Sequence, residues 1–503
     1  MTPETAYADL VRRAREEALL ASCADLLEWD EETYMPKAGV AHRSEQRALL
    51  AGLLHERGTD PRYGELLDVL EGSELLQDPD AAEAVNVRWL RHEYEREKKL
   101  PRSLVEEGAR VASLAYEAWI EAKENADYAA FRPWLERLVG LSRAEAEALG
   151  YADTPYDALL EEYEPGVRTA DVAALFAVLQ QELLALLGEV GGSSRKPQAK
   201  LLRRDFPVDR QRLFSEAVAS ALGFDFEGGR LDLAEHPFCT AVGPGDVRLT
   251  ARYDSRSFPR GFFAVLHEMG HGLYEQGLDR AHFGLPMGEV VSLGMHESQS
   301  RLWENLVGRS RPFWRAFYPR TRAIFRDALH DVKLDDFHFA ICAVRPGANR
   351  VEADEITYNL HIFIRFELER ALIAGDLTAA ELPGAWNDAY RRLLGVTPAD
   401  DAEGVLQDSH WAAGLFGYFP AYTLGNVYAA QFLEAAERDV GDFAPAWGKG
   451  DFSGLLGWLR DNVHRHGRRW TSAELVRRAT GAPPDPAPLI TGLRRKYGEL
   501  YAL

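Results

Sequence analysis

The segment "VLHEMGHG" (265–272) holds two histidines four residues apart, with a glutamate directly after the first. On an α-helix such a pair lies on one face, so His267 and His271 would point the same way and could bind one metal ion. Glu268 would sit about 100° round the helix, where it could reach a water on that metal without being a ligand. The alternative is a pair of core histidines without a metal, but buried imidazoles need polar partners and the flanking residues are apolar. We therefore predict a metal-binding helix.

A hydrolytic metal site needs a third protein ligand and leaves the fourth position open for water. The helical segment "GMHESQSRLWENLVG" (294–308) supplies the candidates. Glu297 would complete a set of two histidines and a carboxylate, and His296 is its rival. Adjacent helical residues point about 100° apart, so only one of the two can face the metal, and we predict Glu297. Its alternative role is an ion pair with Arg301, one turn later.

The predicted chemistry is hydrolysis of a peptide bond. A zinc ion would lower the pKa of its water to about 7 and polarise the scissile carbonyl. Glu268 would take a proton from that water and pass it to the leaving amine, as general acid and base. We expect one divalent ion per chain, zinc first and cobalt as the alternative, because two histidines and a carboxylate accept several metals. A structural metal normally has four protein ligands, so a non-catalytic metal-binding or peptide-binding protein is a weaker alternative.

Helical periodicity dominates the rest of the chain. Apolar residues recur every three or four positions over 4–29, 104–124, 170–188, 315–330, 354–373 and 380–394. By contrast, Val247, Leu249 and Ala251 alternate with polar residues in "DVRLTARY" (246–253), which predicts a half-buried strand. A stretch rich in Gly, Ser and Pro at 188–198 predicts a loop or hinge. We predict a mostly α fold with a small β-sheet beside the metal-binding helix, and one folded unit over residues 1–503.

Composition excludes several classes of protein. The 503 residues carry a net charge of −21, which argues against nucleic acid, whose phosphates need a basic face. Three cysteines lie far apart, at Cys23, Cys239 and Cys342, and provide neither a disulfide framework nor a Cys-x-x-Cys metal clamp. The N-terminus lacks a signal-peptide pattern and no apolar run approaches 18 residues, so neither a membrane span nor a membrane partner is expected. We predict a cytoplasmic protein.

Seven segments of the chain, taken in order, resemble those of one family. They are "WDEETYMP" (29–36), "HPF" (236–238), "DVRLT" (246–250), "HEMGH" (267–271), "HESQ" (296–299), "RVEAD" (350–354) and "GVLQDSHW" (404–411). In this combination the chain resembles the carboxypeptidase Taq family, metal-dependent carboxypeptidases of the HExxH type. One departure is Asn349, which stands where the family pattern has an aliphatic residue before the arginine of "RVEAD".

The resemblance implies a fold and an activity. The fold would be a helical body of two lobes around a long, deep groove, with the metal at its floor and the strand "DVRLTARY" along one wall. An extended peptide could pair with the edge of that strand. His267, His271 and Glu297 would be the metal ligands and Glu268 the general acid and base. The protein would be a homodimer that removes residues one at a time, with broad specificity, from peptides with a free C-terminus.

A carboxypeptidase must recognise a free α-carboxylate, which arginine binds with two parallel hydrogen bonds. Arg350 is the candidate to which the resemblance points, and the helix predicted to begin near Asp354 would also favour an anion. The alternative for Arg350 is a structural salt bridge. Arg248 is the second candidate, since it shares a strand face with Thr250, but it could equally pair with Asp246.

Further polar side chains stand in the shared segments. His236 of "HPF" is a candidate for binding substrate. His410 of "GVLQDSHW" could donate a hydrogen bond to the developing oxyanion or hold a substrate carbonyl. In "GYFPAYTLGN" (417–426), Tyr418 and Tyr422 could act similarly, and we favour Tyr422, although either tyrosine could simply pack in the core.

A metallo-oligopeptidase that cuts short peptides internally with the same site is the main alternative function. A requirement for a free carboxylate separates the two activities. An aminopeptidase is disfavoured, because the chain has no Gly-x-Met-Glu-Asn segment of the kind common in metal aminopeptidases.

Overall fold

Helices make up most of the chain in the computed structural model, which describes residues 1–503. In chain order they are α1 (Pro3–Thr33), α2 (Val40–Gly58), α3 (Pro61–Leu70), α4 (Ala82–Lys99), α5 (Arg102–Glu124), α6 (Tyr128–Leu149), α7 (Pro155–Leu160), α8 (Thr169–Gly192), α9 (Val208–Leu222), α10 (Phe258–Glu275), α11 (Leu293–Arg301), α12 (Arg311–Ile324), α13 (Arg326–Leu329), α14 (Leu334–Ile341), α15 (Thr357–Ala374), α16 (Leu382–Leu394), α17 (Pro420–Val440), α18 (Ala444–Trp447), α19 (Ser453–Asn462), α20 (Ser472–Thr480) and α21 (Ala487–Tyr501). Strands β1 (Gly229–Leu233), β2 (Cys239–Gly243) and β3 (Asp246–Ala251) lie between α9 and α10. The prediction of a mostly α fold with a small sheet is confirmed.

The predicted helical stripes fall on α1, α5, α8, α12 with α13, α15 and α16, and two boundaries differ. Helix α8 continues past Gly188 to Gly192, so the loop predicted from residue 188 begins at Ser193. Val190 is buried on the same face as Leu186, and this packing outweighs the weak helix preference of the glycines. The stripe at 315–330 breaks at Phe325, whose backbone leaves the helical region between α12 and α13.

The small sheet has the strand order β1–β3–β2. Strand β3 pairs in parallel with β1 and antiparallel with β2, and its residues Val247, Leu249 and Ala251 are buried as predicted. Because both edges of β3 are already paired, the expectation that a peptide pairs with the edge of this strand is wrong. Strand β2 is an edge strand of the sheet, and its residues are partly exposed.

The main core surrounds α10, α15 and α17, which are buried on nearly all sides. Next to α10, the rings of Phe258 and Phe262 stack with centroids 5.1 Å apart, and Phe262 also stacks on Phe214 of α9 at 5.4 Å. Trp314 of α12 closes the cluster at 5.4 Å from Phe262. Aromatic pairs of this kind add about 0.5–1.5 kcal/mol each beyond the area they bury, so the first turn of α10 is firmly held.

The N-terminal helices have a small core of their own. It is built by α1, α3 and α4 from Ala6, Leu10, Tyr63, Leu66, Leu67, Leu70 and Val87. The end of α1 contacts the sheet, where the hydroxyl of Tyr34 donates to Asp232 at 2.5 Å and the guanidinium of Arg230 lies over the ring of Trp29. Part of the segment "WDEETYMP" therefore joins these helices to the sheet. A division into two lobes over one unit stays a prediction.

One helix, α8, is long and apolar enough to cross a membrane by length and composition, with a mean hydropathy of 1.6. Its inner face packs on α15, where the ring of Phe176 lies 4.8 Å from that of Phe363. Glu182, midway along the helix, forms an ion pair with Arg494 of α21 at 2.9 Å. These contacts pack the apolar helix against α15 and α21.

Candidate active site

Helix α10 presents the predicted histidine pair. It begins at Phe258 with Pro259 in its first turn, where the missing N–H is not needed. Gly270, between the two histidines, allows α11 to approach closely, since a Cβ at this position would lie 2.5 Å from the backbone oxygen of Gln299. The glycine of "HEMGH" therefore sets the spacing of the two helices that meet at the site.

The structure brings His267, His271 and Glu297 together. Their ligand atoms lie within 4.8 Å of one another. Oε2 of Glu297 is 3.5 Å from Nε2 of His267 and 3.6 Å from Nε2 of His271. Two imidazole nitrogens and a carboxylate oxygen form a donor set that suits zinc with one position left for water. The predicted residues thus fit a divalent metal ion.

Hydrogen bonds at the far side of each imidazole fix its orientation. Nδ1 of His267 lies 3.0 Å from Oε2 of Glu304, and Nδ1 of His271 lies 3.1 Å from the backbone oxygen of His296. A carbonyl oxygen only accepts, so Nδ1 of His271 carries the proton and Nε2 presents its lone pair. Burial lowers the pKa of His271 well below its usual range, which keeps the ring neutral. Both features prepare an imidazole for a metal.

Glu297 makes both of the contacts that its sequence position offered as alternatives. Oε1 accepts a hydrogen bond from Nε of Arg301 at 2.6 Å, while Oε2 faces the histidines and accepts from Oγ of Ser300 at 3.2 Å. Gly425 of α17 packs on this side chain, because a Cβ at this position would lie 2.8 Å from Cβ of Glu297. The carboxylate is therefore held by its ion pair and by close packing at the same time.

Glu304 is a second carboxylate behind the histidines. It lies in the π-helical turn Leu302–Val307 that follows α11, and it accepts hydrogen bonds from His267 and, at 3.3 Å, from Nη1 of Arg301. Burial alone would raise its pKa, but the hydrogen bond from His267 and the charge of Arg301 lower the pKa of Glu304 to about 2. An ionised carboxylate on Nδ1 makes Nε2 of His267 a better metal ligand.

Replacing Glu304 by alanine is expected to weaken metal binding by about 10- to 100-fold, because His267 loses the acceptor that orients its ring. The measurement is a competition titration of the metal-free protein with zinc and a chelating dye. Glu367→Ala is the matched control, since Glu367 pairs with Arg392 on the surface and with neither imidazole ligand. A variant lacking Glu304 that binds zinc as tightly as the wild type would contradict this role.

Glu268 is buried, with 8% of its surface exposed, and no protein group donates a hydrogen bond to its carboxylate. Burial raises the pKa of Glu268 to about 7, and the charge of His267 opposes that rise. A carboxyl group with such a pKa can take up and release a proton near neutral pH.

His296, the rival third ligand, is turned away from the histidine pair. Its Nε2 lies 3.0 Å from Oε1 of Glu275, and its ring stacks on that of His271 with centroids 4.1 Å apart. Its contribution is therefore a backbone carbonyl and a stacked ring, which hold His271 in place.

Arg350 belongs to a buried cluster of charges. Its Nε and Nη2 lie 2.9 and 2.8 Å from Oδ1 of Asp408. The other carboxylate oxygen of Asp408, Oδ2, is 2.7 Å from Arg365, which is fully buried. The charges of Arg350 and Arg365 overcome the effect of burial and hold the pKa of Asp408 far below its usual range. One carboxylate therefore lies between two arginines, and the cluster carries one net positive charge.

Tyr358 connects this cluster to the metal-binding residues. Its hydroxyl accepts a hydrogen bond from Nη1 of Arg350 at 3.2 Å. The guanidinium of Arg301, which is paired with Glu297, lies 4.0 Å from the centre of the Tyr358 ring. Tyr358 therefore contacts both Arg301, which is paired with Glu297, and Arg350, the candidate for binding the substrate carboxylate.

His410 and Tyr422 form a hydrogen-bonded pair beside Arg350. Nε2 of His410 lies 3.0 Å from the hydroxyl of Tyr422, and the guanidinium of Arg350 lies 5.1 Å from the Tyr422 ring. Burial and the charge of Arg350 lower the pKa of His410 to about 3, so the imidazole is neutral. Tyr418 packs 5.5 Å from Tyr422, ring to ring, without a hydrogen bond to His410.

The other two predicted residues lie elsewhere. Arg248 pairs with Asp246 through two hydrogen bonds of 2.8 Å and lies over the ring of Trp29. Of its two predicted roles, the geometry supports the structural ion pair. His236 is exposed in the turn between β1 and β2 and makes no hydrogen bond. Binding of substrate by either residue stays a prediction.

Sequence reasoning missed Glu304, Asp408, Arg365 and Tyr358 as members of the site. A signal existed for Glu304, because Glu297, Arg301 and Glu304 are spaced by four and three residues, as on one helical face. Asp408 stands inside the segment "GVLQDSHW", so the sequence offered a signal for it as a site residue. Arg365 and Tyr358 lie in an ordinary apolar helix pattern, and nothing local marks them.

A cavity of about 910 Å³ lies between the N-terminal helices and the sheet side of α10 and α11. Strand β2 lines it over Cys239–Gly243, and His296 and Glu275 stand on its wall. The three candidate ligands do not line this cavity, but His296 and Glu297 are adjacent in α11, so the cavity ends close to them.

Known proteins match this chain over its whole length. The model of the family described as carboxypeptidase Taq (M32) metallopeptidase matches residues 9–497. The chain is 50% identical over 510 residues to thermostable carboxypeptidase 1 of Thermus thermophilus, with 100% of both chains covered. It is 39% identical over 504 residues to carboxypeptidase 1 of Bacillus subtilis, with 100% and 99% covered. The crystal structure of an M32 carboxypeptidase from Deinococcus radiodurans R1 superposes with a TM-score of 0.96 at 41% identity, covering 99% of this chain and 100% of that one.

Proposed function

This chain belongs to the carboxypeptidase Taq (M32) family of metallopeptidases and is a metallocarboxypeptidase, and from that premise we propose how it works: it removes residues one at a time from the C-terminus of peptides, with a divalent metal held by His267, His271 and Glu297. Broad specificity is part of the proposal. It is supported by the edge strand β2, which can bind a peptide through its backbone with little regard to side chains.

The charge cluster at Arg350 is the observation that carries the proposed specificity for a free C-terminus. Arg350 and Arg365 are buried and supply two positive charges, and Asp408, whose side chain is 9% exposed, supplies one negative charge. A buried cluster with an uncompensated positive charge is unfavourable, and a peptide carboxylate bound at Arg350 would neutralise it. An amide or an internal peptide bond brings no charge. Recognition by charge balance therefore favours the carboxypeptidase over the internal cleavage of a metallo-oligopeptidase.

Glu268 is the proposed general acid and base. Its carboxylate accepts no hydrogen bond from the protein, and Glu268 lies one residue from His267 on the same buried helix. It would take the proton of the attacking water and then deliver it to the leaving amine. A metal at the site, zinc in our proposal and cobalt as the alternative, would supply Lewis acidity that polarises the scissile carbonyl.

The pair of His410 and Tyr422 is proposed to receive the carbonyl oxygen as charge develops on it. Both groups are neutral, since burial and the charge of Arg350 lower the pKa of His410 and burial raises that of Tyr422. When Nε2–H of His410 donates to the oxygen of Tyr422, the O–H of Tyr422 stays free to donate to the carbonyl oxygen, and the hydrogen bond from His410 fixes that donor before the reaction. We therefore prefer Tyr422 for this role to Tyr418, which lacks that hydrogen bond.

Two further proposals concern the molecule as a whole. A homodimer is supported by α2, which has no buried residue, and by exposed apolar side chains on α1 and α2 such as Leu19, Leu49 and Leu53. Sedimentation equilibrium that gave the mass of one chain would contradict it. The cytoplasmic location remains the prediction made from the sequence, and fractionation of the source cells decides it.

Removal and return of the metal tests the proposed site. Dialysis against a chelator is expected to abolish hydrolysis of a peptide with a free C-terminus, and one equivalent of zinc or cobalt per chain should restore it. His271→Ala, treated in the same way, should not recover, because the donor set has lost one of its three ligands. Full activity in the chelated wild type, with its metal content measured as zero, would contradict the proposal.

A further inference from the structure

The segment between α16 and α17 carries much of the proposed carboxylate and oxyanion site, yet residues 395–419 contain neither helix nor strand. Asp408, His410 and Tyr418 all stand in it. A connection of this length without secondary structure is uncommon and needs specific anchors to hold one conformation. We name residues 395–419 the site loop.

The first half of the site loop is held from two sides. Nε1 of Trp119 donates to the backbone oxygen of Leu406 at 2.9 Å, and Lys123 donates to that of Gln407 at 2.7 Å. Arg365 holds the side chain of Gln407 at 2.8 Å. These contacts end at Asp408, so the part of the loop around His410 and Tyr418 must be fixed by something else.

Glu369 of α15 provides that second anchor. It is fully buried, and its Oε1 accepts a hydrogen bond from Nε1 of Trp411 at 2.7 Å. Its Oε2 accepts from the hydroxyl of Tyr156 at 2.6 Å and from the backbone N–H of Gly417 at 3.3 Å. Trp411 directly follows His410, and Gly417 directly precedes Tyr418. One carboxylate thus holds the loop at two positions between His410 and Tyr418, and each position is directly next to one of these residues.

Glu369 is a buried acidic side chain without an ion-pair partner, and this indicates that it has a specific role. No arginine, lysine or histidine forms an ion pair with it, so burying this carboxylate is unfavourable. Burial raises the pKa of Glu369 to about 7, against the three donated hydrogen bonds. Only an acceptor with two oxygens satisfies three donors that approach from two directions.

We propose that Glu369 is a positioning residue of the carboxypeptidase reaction, which fixes the site loop through Trp411 and Gly417 so that His410, with the ring of Tyr418 packed against it, keeps its place beside Arg350 and Tyr422. This inference rests on the proposed function of that cluster. Glu369 acts through the loop and contacts neither the metal ligands nor the peptide.

A series of variants tests this role. Glu369→Leu removes the acceptor from three donors, and we expect kcat/KM to fall by about 10- to 100-fold. Glu369→Gln can turn its amide oxygen toward Trp411 and its NH₂ toward the hydroxyl of Tyr156, but it leaves the N–H of Gly417 without an acceptor, so its kcat/KM should lie between those of the wild type and Glu369→Leu. Trp411→Phe deletes the same hydrogen bond from the other side. The double variant Glu369→Leu/Trp411→Phe should then be little worse than Glu369→Leu alone.

Spectroscopy separates positioning from a general loss of stability. The indole N–H signal absent from Trp411→Phe identifies Trp411 by NMR, and this signal should move in Glu369→Leu. Glu367→Leu is the matched control, since Glu367 lies on the same helix and pairs with the exposed Arg392. In that variant the indole signal, kcat and KM should all stay unchanged.

Wild-type kcat and KM in a folded Glu369→Leu variant would overturn the proposal. If that variant does not fold, wild-type kinetics in Trp411→Phe would overturn it equally. Arg350→Gln in the same assay keeps the two hypotheses apart. Normal hydrolysis by Arg350→Gln refutes the carboxylate site itself, whereas an impaired Arg350→Gln beside an unaffected Glu369→Leu refutes only the positioning role.

Discussion

Replacing Glu268 by glutamine is expected to lower kcat by about 10²–10⁴-fold, while the protein keeps its metal and its fold. Glutamine has nearly the same shape as glutamate but cannot take up a proton. Glu268 is not among the three side chains whose ligand atoms meet, so its replacement leaves the donor set intact. The measurement is single-turnover hydrolysis of a short peptide by purified protein, with metal content determined on the same sample.

Glu275→Gln is the matched control for this substitution. Glu275 stands on the same helix two turns later and binds His296, so its replacement changes a nearby charge without touching the proposed base. Wild-type turnover in fully metal-loaded Glu268→Gln would show that another group moves the proton. Loss of metal in Glu268→Gln would show instead that the carboxylate supports the donor set, and the assignment as general base would then fail.

Replacing Arg350 by glutamine is expected to reduce kcat/KM by about 10²–10³-fold, mainly through KM, for peptides with a free C-terminus. Removing one member of a buried, hydrogen-bonded charge pair costs about 2–5 kcal/mol, and here the bound carboxylate loses its partner. Asp408 keeps Arg365, so the vacated cluster becomes neutral and no longer attracts an anion. Steady-state kinetics over a range of peptide concentrations separates KM from kcat.

Two further variants control the Arg350 experiment. Arg345→Gln removes an exposed arginine five residues earlier and should leave kcat and KM unchanged. Arg350→Lys keeps the charge but loses the planar fork, and we expect its KM to lie between those of the wild type and Arg350→Gln. Unchanged KM in Arg350→Gln would contradict the proposed carboxylate recognition.

The local chemistry of the site could be predicted from the sequence because it depends on helical spacing. His267 and His271 face one way wherever an α-helix contains them, and Glu297 needed only a second helix to bring it close. The structure has the arrangement predicted from direction alone, with Glu297 facing the histidines and His296 turned toward Glu275, while metal binding by Glu297 stays a prediction. The apolar stripes predicted the mostly helical fold because their residues also recur with the helical spacing.

The parts that could not be predicted depend on contacts between distant segments. Strand β3 was visible in the alternation of Val247, Leu249 and Ala251, but its central position depends on two five-residue strands, one beginning and one ending with glycine, that have no clear period of their own. The site loop likewise has no period, and the pairing of Asp408 with Arg350 joins residues 58 positions apart. Charge balance in a buried cluster exists only after the chain has folded.

The most direct test of the account uses one short N-acetylated peptide in two forms, with a free or an amidated C-terminus, followed by mass spectrometry over time in the presence of the metal-loaded protein. The account predicts successive loss of single residues from the free form and no change in the amide, because only the carboxylate neutralises the cluster at Arg350. Internal fragments appearing from both forms at similar rates would contradict it and would assign the site to an oligopeptidase.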